Sequence, residues 1–336
     1  MNAHRVVFSA ADEVEIKEFD FDASRLGDEE VAIRTNTSLI SPGTELACLH
    51  GSETWAPFPS MPGYAGCGEI IGVGSRVTGF QPGDEVFAYT SHASHVKAGA
   101  LCARMPDGLD PKLGVFARMA SVAITALRVS EAELGDTVAV TGLGLVGNLA
   151  AQLFAMAGCE VIGIDLSHRR REIARQCGVR HVLDASEDVA ARVREITGGS
   201  LCATVVEATG IPSVAEKSAS LAGKLGEVIL LGSPRGKHQA DLTDFMNQIH
   251  LWGKCVTFKG AHEWRFPVQK DDSGHAKHSL QRNIEILLRL IAEGRLQIAP
   301  LLTHVLPPSE CVAAYSGLRD RKDEYLGVVF DWTSGV

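Results

Sequence analysis

The sequence predicts an α/β protein of two domains, and three observations support that prediction. The chain has 336 residues, and domains usually contain about 100–200 residues. Up to about residue 115, short apolar stretches are broken by glycine and proline, as in β-strands joined by turns. From about residue 122, apolar strands alternate with helical patterns. This alternation indicates a doubly wound parallel sheet with helices on both faces.

The β-rich part is predicted from its shortest apolar runs. Strands are expected at residues 31–34, 67–73 and 85–88, and Gln81-Pro82-Gly83-Asp84 is expected to turn the chain between the last two.

The alternating part begins with a continuous apolar strand and a glycine-rich loop. Strands are predicted at 138–141, 160–164, 181–183, 203–207 and 227–231, with helices at 145–157, 169–177, 186–197 and 212–221. The alternation ends with a strand at 256–259.

The last part of the chain combines a polar loop, a helix and a strand. Residues 267–278 are polar and are predicted to form an exposed loop. Apolar residues then recur at helical spacing from Leu280 to Ile291, and Gly294 is expected to end that helix. Residues 326–332 are predicted to form a strand.

Composition excludes several classes of protein. There are 41 acidic and 32 basic residues, a formal charge of −9, so we expect no nucleic acid partner. No apolar run approaches the ~18 residues that a membrane span needs, and the first residues lack the apolar core of a signal peptide. We therefore expect a cytoplasmic protein without a membrane partner. The eight cysteines form no CxxC pair, which argues against a sequence-local thiolate zinc site.

The motif with the most specific chemistry is Gly142-Leu143-Gly144-Leu145-Val146-Gly147, which follows a strand and opens a helix. Gly142 permits a tight turn, Gly144 allows a pyrophosphate to approach the backbone, and Gly147 allows helix and strand to pack closely. The N–H groups at the helix start, from Leu145 and Val146 onward, would bind the phosphates. The loop predicts a dinucleotide site of the Rossmann type.

Asp165 ends the second strand of this part, 23 residues after Gly142. The spacing suits a carboxylate that binds ribose hydroxyls. A 2′-phosphate about 4 Å from it would cost roughly 4 kcal/mol at an effective dielectric constant of about 20, so we expect NAD as the cofactor. Of the following Arg169-Arg170-Arg171, we expect Arg170 to contact the adenosine ribose and the others to face solvent.

Four segments make the chain similar to the medium-chain dehydrogenase/reductase superfamily of the alcohol dehydrogenase type. They are Pro82-Gly83-Asp84-Glu85-Val86, Met105-Pro106-Asp107-Gly108-Leu109, the cofactor loop from Val140 to Gly147, and Glu207-Ala208-Thr209-Gly210. The resemblance implies a GroES-like, β-rich catalytic domain built from residues 1–122 and 261–336, with an NAD-binding Rossmann domain at 123–260 between them. It also implies hydride transfer, homodimers or homotetramers, and cofactor contacts by Thr209, Gly210 and Gly232.

The chain departs from the zinc-dependent members of this family at all three ligand segments. Residues 40–45 contain no cysteine, Tyr64 stands where the family has histidine, and Arg118 stands near the third ligand. A guanidinium stays protonated and cannot bind zinc. The cluster of four cysteines that holds structural zinc in the family is also missing. We expect no metal site, and we place the chain in a zinc-independent branch with SPGTE and PGY motifs.

Without zinc, a side chain must exchange a proton with the substrate. Tyr64 is the first candidate, because the resemblance places it in the cleft; Arg118 beside it would lower the pKa of the phenol from about 10. The alternative is that Tyr64 only fills the space of the missing zinc. Thr44 matches a hydroxyl that relays protons in zinc-dependent members, or it is a turn residue. His262 follows the strand at 256–259 and is the next candidate.

Three more residues are predicted to bind substrate: His92, Glu45 and Trp264. For His92 the alternative is a surface position, and for Glu45 it is a structural role. Several polar groups around one cleft indicate a hydroxyl-rich substrate such as a sugar, polyol or cyclitol. We therefore expect an NAD-dependent dehydrogenase that oxidises a secondary alcohol to a ketone, or the reverse. The alternatives are a reductase of activated double bonds or quinones, and a catalytically silent dinucleotide-binding protein.

Overall fold

The computed structural model describes residues 1–99, 101–271 and 273–335. The chain divides into two compact units. The β-rich unit comprises Met1–Arg118 and Phe266–Val336, and the parallel-sheet unit comprises Met119–Arg265. These boundaries lie a few residues from the predicted ones at 122 and 260. The β-rich unit is built from both ends of the chain, as expected.

The strands follow the chain in this order: β1 Asn2–Ala10, β2 Glu13–Asp20, β3 Val31–Leu39, β4 Gly66–Val73, β5 Glu85–Ala88, β6 His95–Ala98, β7 Cys102–Arg104, β8 Thr137–Thr141, β9 Glu160–Asp165, β10 His181–Asp184, β11 Cys202–Glu207, β12 Ala222–Leu230, β13 Thr257–Gly260, β14 Leu302–Leu306 and β15 Gly327–Asp331.

The helices are α1 Pro42–Leu49, α2 Pro111–Gly114, α3 Ala117–Val129, α4 Leu145–Met156, α5 His168–Gln176, α6 Val189–Ile196, α7 Pro212–Ser218, α8 Thr243–His250, α9 Leu280–Ala292 and α10 Cys311–Asp320. None of these helices, taken over the described ranges, is long and apolar enough to cross a bilayer.

The β-rich unit contains a sheet with the strand order β14-β15-β3-β4-β5-β7, and β6 also pairs with β3. The pairs are antiparallel except β14 with β15. The turn predicted at 81–84 has Gly83 at φ +93°, a conformation that glycine adopts without steric cost. Phe8, Ile40, Tyr315 and Phe330 are fully buried in one core of this unit.

The parallel-sheet unit has the strand order β10-β9-β8-β11-β12-β13, and all its pairs are parallel. Ala139, Ile162, Val205 and Val228 are fully buried, because helices cover both faces of such a sheet. The chain runs outward from β8 to β10 and then from β11 to β13 on the other side. The order in which successive strands are added therefore reverses between β8 and β11. In α/β proteins, ligands bind at the carboxyl ends of the strands at such a reversal.

Predicted and observed elements differ at strand ends and at helix ends. Strand β3 extends to Leu39 rather than 34, and β12 begins at Ala222 rather than 227. Helix α6 begins at Val189 rather than 186, because the Asp188 carboxylate accepts a hydrogen bond from the N–H of Ala191 and caps it. Helix α9 ends before Gly294, which has φ +64°. Apart from Asp272, which lies outside the described residues, the segment 267–278 forms no helix or strand, as predicted. Helix α8 was not predicted, and it has no buried residue.

Candidate functional site

The glycine loop lies at the carboxyl end of β8 in the parallel-sheet unit. Gly142 has φ +89°, and its N–H donates to the carbonyl of Ile164 at 2.8 Å. A Cβ added at Gly147 would lie 1.8 Å from the Gly142 carbonyl oxygen, whereas a Cβ at Gly144 would meet nothing within 4 Å. Gly147 is therefore required by packing, and the space at Gly144 is open to a ligand.

Helix α4 begins directly at this loop. Its N-cap, Gly144, supplies no side-chain hydrogen bond, and the first turn carries no acidic residue. The first N–H groups of a helix have no partner within it, and they bind anions well. The side chain of Leu145 is buried, so its predicted contact with the cofactor falls on its backbone N–H, next to that of Val146.

Asp165 ends strand β9 and is tied to the glycine loop. Its Oδ2 accepts a hydrogen bond from Leu143 N–H at 2.7 Å, and its Oδ1 accepts one from Ser167 N–H at 2.8 Å. Arg170 Nη1 lies 3.9 Å from Oδ2. The carboxylate is only 8% exposed, and its position is fixed by the backbone around it.

The expectation that Arg171 faces solvent is wrong. Arg171 is buried; its Nη1 donates to the carbonyls of Asp165 at 2.9 Å and Leu166 at 2.8 Å, and its Nη2 lies 2.7 Å from Asp184 Oδ2. It therefore holds the backbone on which Asp165 is placed. Arg169 is exposed, as expected.

A second loop follows strand β11. Glu207 accepts hydrogen bonds from the N–H groups of Thr209 at 2.7 Å and Gly210 at 3.2 Å, and burial raises the pKa of its carboxyl group. A Cβ at Gly232 would lie 2.2 Å from Gly210 N, and one at Gly142 would lie 2.7 Å from Thr209 Cγ2. Thr209, Gly210 and Gly232 thus lie next to the glycine loop, and their contacts with the cofactor stay predictions.

In the β-rich unit, Arg118 lies between two tyrosine rings. Its guanidinium carbon is 4.5 Å from the ring centroid of Tyr64 and 4.4 Å from that of Tyr89, and the residue is 5% exposed. The predicted proximity of Tyr64 and Arg118 is therefore confirmed. The sequence did not predict a role for Tyr89, which directly follows the last residue of β5.

The predicted fall in the pKa of Tyr64 is wrong. Burial raises the pKa of the phenol, and this outweighs the lowering by Arg118; Glu45 raises it further, while hydrogen bonds with Ser41 and Thr44 lower it. The guanidinium stacks on the ring face of Tyr64. Its charge therefore stabilises the phenolate less than the loss of solvent around the phenol destabilises it. Thr44 therefore lies beside the phenol, as a proton relay requires.

Glu45 and His92 belong to a buried hydrogen-bond network, which corrects the expectation that they contact substrate. Glu45 is 2% exposed and His92 is fully buried. His92 Nε2 is 3.0 Å from Glu45 Oε2, and its Nδ1 is 2.8 Å from Ser38 Oγ. Tyr315 donates to the same Glu45 oxygen at 2.5 Å, and Trp332 donates to Ser38 at 2.9 Å. A buried carboxylate must be satisfied in this way, so the network positions α1 rather than the substrate.

The proton positions in this network follow from its donors. The Glu45 carboxylate only accepts, so His92 donates to it through Nε2–H. The Trp332 indole donates to the Ser38 hydroxyl, which donates to His92 Nδ1 in the tautomer that carries no proton there. This tautomer is assigned from the hydrogen bonds.

His262 and Trp264 lie in the parallel-sheet unit, after strand β13. Both side chains are exposed, and Trp264 belongs to the short 3-10 turn Glu263–Arg265. Their predicted roles in proton transfer and substrate binding stay predictions.

Two of the three segments that resemble zinc-ligand segments carry Tyr64 and Arg118, which pack against each other. A guanidinium has no lone pair to donate to a metal. Over residues 1–99, 101–271 and 273–335, no group of three or more His, Cys, Asp or Glu side chains could hold a metal ion.

A GroES-like unit and a doubly wound unit with a dinucleotide loop define a dinucleotide-dependent dehydrogenase. Residues 27–132 match the family described as "Alcohol dehydrogenase GroES-like domain", and residues 146–266 match "Zinc-binding dehydrogenase". The chain belongs to the medium-chain dehydrogenase/reductase superfamily of the alcohol dehydrogenase type. The predicted fold class is confirmed.

Among curated relatives, D-guloside 3-dehydrogenase from Shigella flexneri is 34% identical over 272 residues, which are 78% of this chain and 75% of the relative. L-galactonate-5-dehydrogenase from Escherichia coli is 23% identical over 320 residues, 86% of this chain and 88% of the relative. The crystal structure of galactitol-1-phosphate dehydrogenase from Escherichia coli has a TM-score of 0.84 at 18% identity, covering 98% of this chain and 99% of that one. The structural likeness shows the fold.

Proposed function

We propose that this protein is an NAD-dependent, zinc-independent dehydrogenase that oxidises a secondary alcohol of a hydroxyl-rich substrate to a ketone, or catalyses the reverse reaction. The observation that carries the proposal is the stack of Arg118 between Tyr64 and Tyr89, at 4.5 and 4.4 Å. A half-buried phenol and a cation stand at the segments where zinc-dependent relatives have their ligands. Proton exchange by a side chain thus replaces polarisation by a metal.

Tyr64 is the acid–base group in this proposal. Because burial raises the pKa of its phenol, Tyr64 holds its proton at neutral pH and can donate it to a carbonyl oxygen. In the oxidative direction the phenolate accepts the proton of the alcohol, and the hydroxyls of Ser41 and Thr44 beside it connect it to further acceptors. Arg118 stabilises the negative charge that develops. His262 is the second candidate.

The glycine loop, the start of α4, Asp165 and the loop at Thr209 would hold the cofactor. When bound, the nicotinamide accepts or supplies the hydride. Open space at Gly144 and the N–H groups of the first turn of α4 fit a pyrophosphate. The fixed carboxylate of Asp165 favours ribose hydroxyls over a 2′-phosphate, which supports NAD.

The two curated relatives support the substrate class, since their names describe dehydrogenases of a guloside and a galactonate. Both are hydroxyl-rich sugar derivatives. A site that hydrogen-bonds hydroxyls rejects analogues that lack them.

A substrate screen tests the proposal. Purified protein is assayed with polyols, cyclitols, glycosides and sugar acids, and with enones and quinones, each with NAD(H) and NADP(H). Turnover of a secondary alcohol with NAD supports it. Turnover of enones or quinones alone assigns a reductase, and cofactor binding without any turnover assigns a silent dinucleotide-binding protein.

Metal content is measured on the same preparation. We expect less than one zinc per subunit and no effect of chelators on activity, because the donor set does not suit zinc. One tightly bound zinc whose removal abolishes activity would overturn zinc independence.

A further inference from the structure

The β-rich unit contains a cavity of about 700 Å³ that the proposed chemistry does not use. Its wall includes Arg5 on β1, Phe19 on β2, Tyr89 after β5, and His95 and Lys97 on β6. Strand β1 is held against the segment before β6 by a bridge between Arg5 and Ala93. These elements fix the positions of the cationic groups in the wall.

The charges that line the cavity do not balance. Asp20 pairs with the terminal amino group of Met1 at 3.1 Å, and Asp22 pairs with Arg25 at 3.1 Å. Arg5 and Lys97 also line the cavity, and neither has a carboxylate within ion-pair distance in the part of the chain that the structure describes. A local excess of positive charge is notable in a chain with a net charge of −9.

Arg5 is the least satisfied of these cations. Its Nη1 donates to the thioether of Met61 at 3.1 Å, a weak acceptor. Its guanidinium carbon lies 4.7 Å from the centroid of Phe19, and its buried Nε lacks a hydrogen-bond partner. A guanidinium has five N–H donors and prefers a planar oxyanion.

The cavity also adjoins the candidate acid–base group. Tyr89 lines the cavity, and the same ring stacks on Arg118, which stacks on Tyr64. Met61, which accepts from Arg5, lies three residues before Tyr64 in the chain. Tyr89 is therefore shared by the wall of this cavity and by the stack that contains the candidate acid–base group.

We propose that this cavity binds an oxyanion, a carboxylate or phosphate, on the substrate, with Arg5 as the specificity-determining residue and Lys97 as a second cation. The inference rests on the proposed dehydrogenase function and narrows its substrate class to acidic sugar or polyol derivatives. Arg5 binds the oxyanion through its N–H groups and gives up its weak hydrogen bond to Met61. Phe19 and Phe21 exclude water from one side, which strengthens the ion pair.

Matched substrates test the proposal through kinetics. Sugar acids and their phosphate esters are compared with neutral polyols of the same configuration, in the wild type and in Arg5→Gln. A hydrogen-bonded charge pair predicts a loss of about 10- to 100-fold in kcat/KM for the anionic substrates, with neutral polyols changed less than about threefold. Separate carboxylate and phosphate series show which oxyanion fits. Equal losses for anionic and neutral substrates would overturn the proposal.

Binding is measured independently of turnover, so that failure of this oxyanion site can be distinguished from failure of the dehydrogenase proposal. Galactonate and inorganic phosphate are titrated into each protein by calorimetry. We expect binding to the wild type, weaker binding to Lys97→Gln, and at least tenfold weaker binding to Arg5→Gln. Lys97 is exposed, so its variant tests the cavity even if Arg5→Gln folds poorly.

Arg76→Gln is the matched control, because it removes the same charge from the same unit outside the cavity. Arg76 pairs with Asp28 at 3.5 Å and Glu29 at 3.4 Å. It should leave anion binding unchanged. Unchanged anion binding in Arg5→Gln and Lys97→Gln, or an equal loss in Arg76→Gln, would contradict a site in this cavity.

Discussion

Tyr64 combines a half-buried phenol with a guanidinium on the face of its ring, and this determines how activity should depend on pH. Because burial raises the pKa of the phenol above its usual value near 10, the phenolate that oxidation requires is scarce at neutral pH. Alcohol oxidation should therefore still increase at pH 10, whereas ketone reduction should be nearly flat through neutral pH. Profiles of kcat/KM in both directions test this.

The Tyr64→Phe variant should lower turnover by about 10²–10⁴-fold and abolish the alkaline rise, while cofactor affinity stays nearly unchanged. Tyr325→Phe is the control, since that phenol bonds Arg321 elsewhere in the same unit. A loss below about tenfold with the pH profile intact would move the assignment to His262.

Asp165 has two roles, and a comparison of Asp165→Asn with Asp165→Ala separates them. Its charge disfavours a 2′-phosphate, and its oxygens hold the N–H groups of Leu143 and Ser167. The wild type should prefer NAD over NADP at least about 100-fold. Asp165→Asn keeps an acceptor for Leu143 and should improve NADP binding about tenfold or more. Asp165→Ala should also weaken NAD binding. Calorimetry with both cofactors checks this, and equal wild-type affinities would refute the charge argument.

At the residue scale, local patterns were predictable and distant partners were not. Gly142, Gly144 and Gly147 could be assigned because the spacing within one loop reflects its geometry. The burial of His92 and Glu45 could not, because it depends on partners far along the chain; these two residues are 47 residues apart. The burial of Arg171 depends on how its helix packs beside Asp165 and Asp184. A histidine pattern alone does not show whether a side chain faces a cavity or a core.

At the scale of elements, the loop before α4 offers a matched pair of glycine substitutions. A Cβ at Gly147 would lie 1.8 Å from the Gly142 carbonyl oxygen. Gly147→Ala should therefore destabilise the fold by about 1–3 kcal/mol and lower Tm. Gly144→Ala meets no protein atom within 4 Å, so its Tm should match the wild type while NAD binding weakens at least about tenfold. Thermal unfolding with and without NAD separates the two effects. A normal Tm for Gly147→Ala, or normal NAD binding by Gly144→Ala, would contradict these assignments.

Strands and helices were predicted correctly where the apolar residues of the sequence pattern are the residues that pack in the core. Strand β5 matches its predicted bounds, since its apolar run is buried on the sheet. Helix α8 was not predicted, although its apolar residues fall on one face; none of its residues is buried in its unit.

At the scale of the whole molecule, we expect self-association through exposed apolar side chains of the parallel-sheet unit. They occur along α8 and the residues next to it: Leu242, Met246, Ile249, Leu251 and Trp252. Such clusters mark interaction surfaces. Light scattering should give a multiple of 35.9 kDa, and Met246→Glu should shift the mass toward the monomer.

The control is Leu134→Glu, at an exposed apolar residue of the same unit outside this segment, which should leave the mass unchanged. A monomeric wild type at micromolar concentration would contradict the expected homodimer or homotetramer.

The β-rich unit is assembled from both ends of the chain, and this has a consequence during synthesis. Strand β3 pairs with β15, and Ser38 bonds Trp332, which is 294 residues later. At about 5–20 residues per second, about 15–60 s of translation separate Ser38 from Trp332. The edge of β3 that pairs with β15 stays unpaired for that time, although β3 can already pair with β4 and β6. The parallel-sheet unit is contiguous and can fold meanwhile. Proteolysis of ribosome-bound chains that expose residues 1–265 should cut within the first 118 residues and spare 119–265; protection of both would refute this. Until β15 is synthesised, this edge of β3 exposes unpaired backbone groups that favour aggregation of the nascent chain.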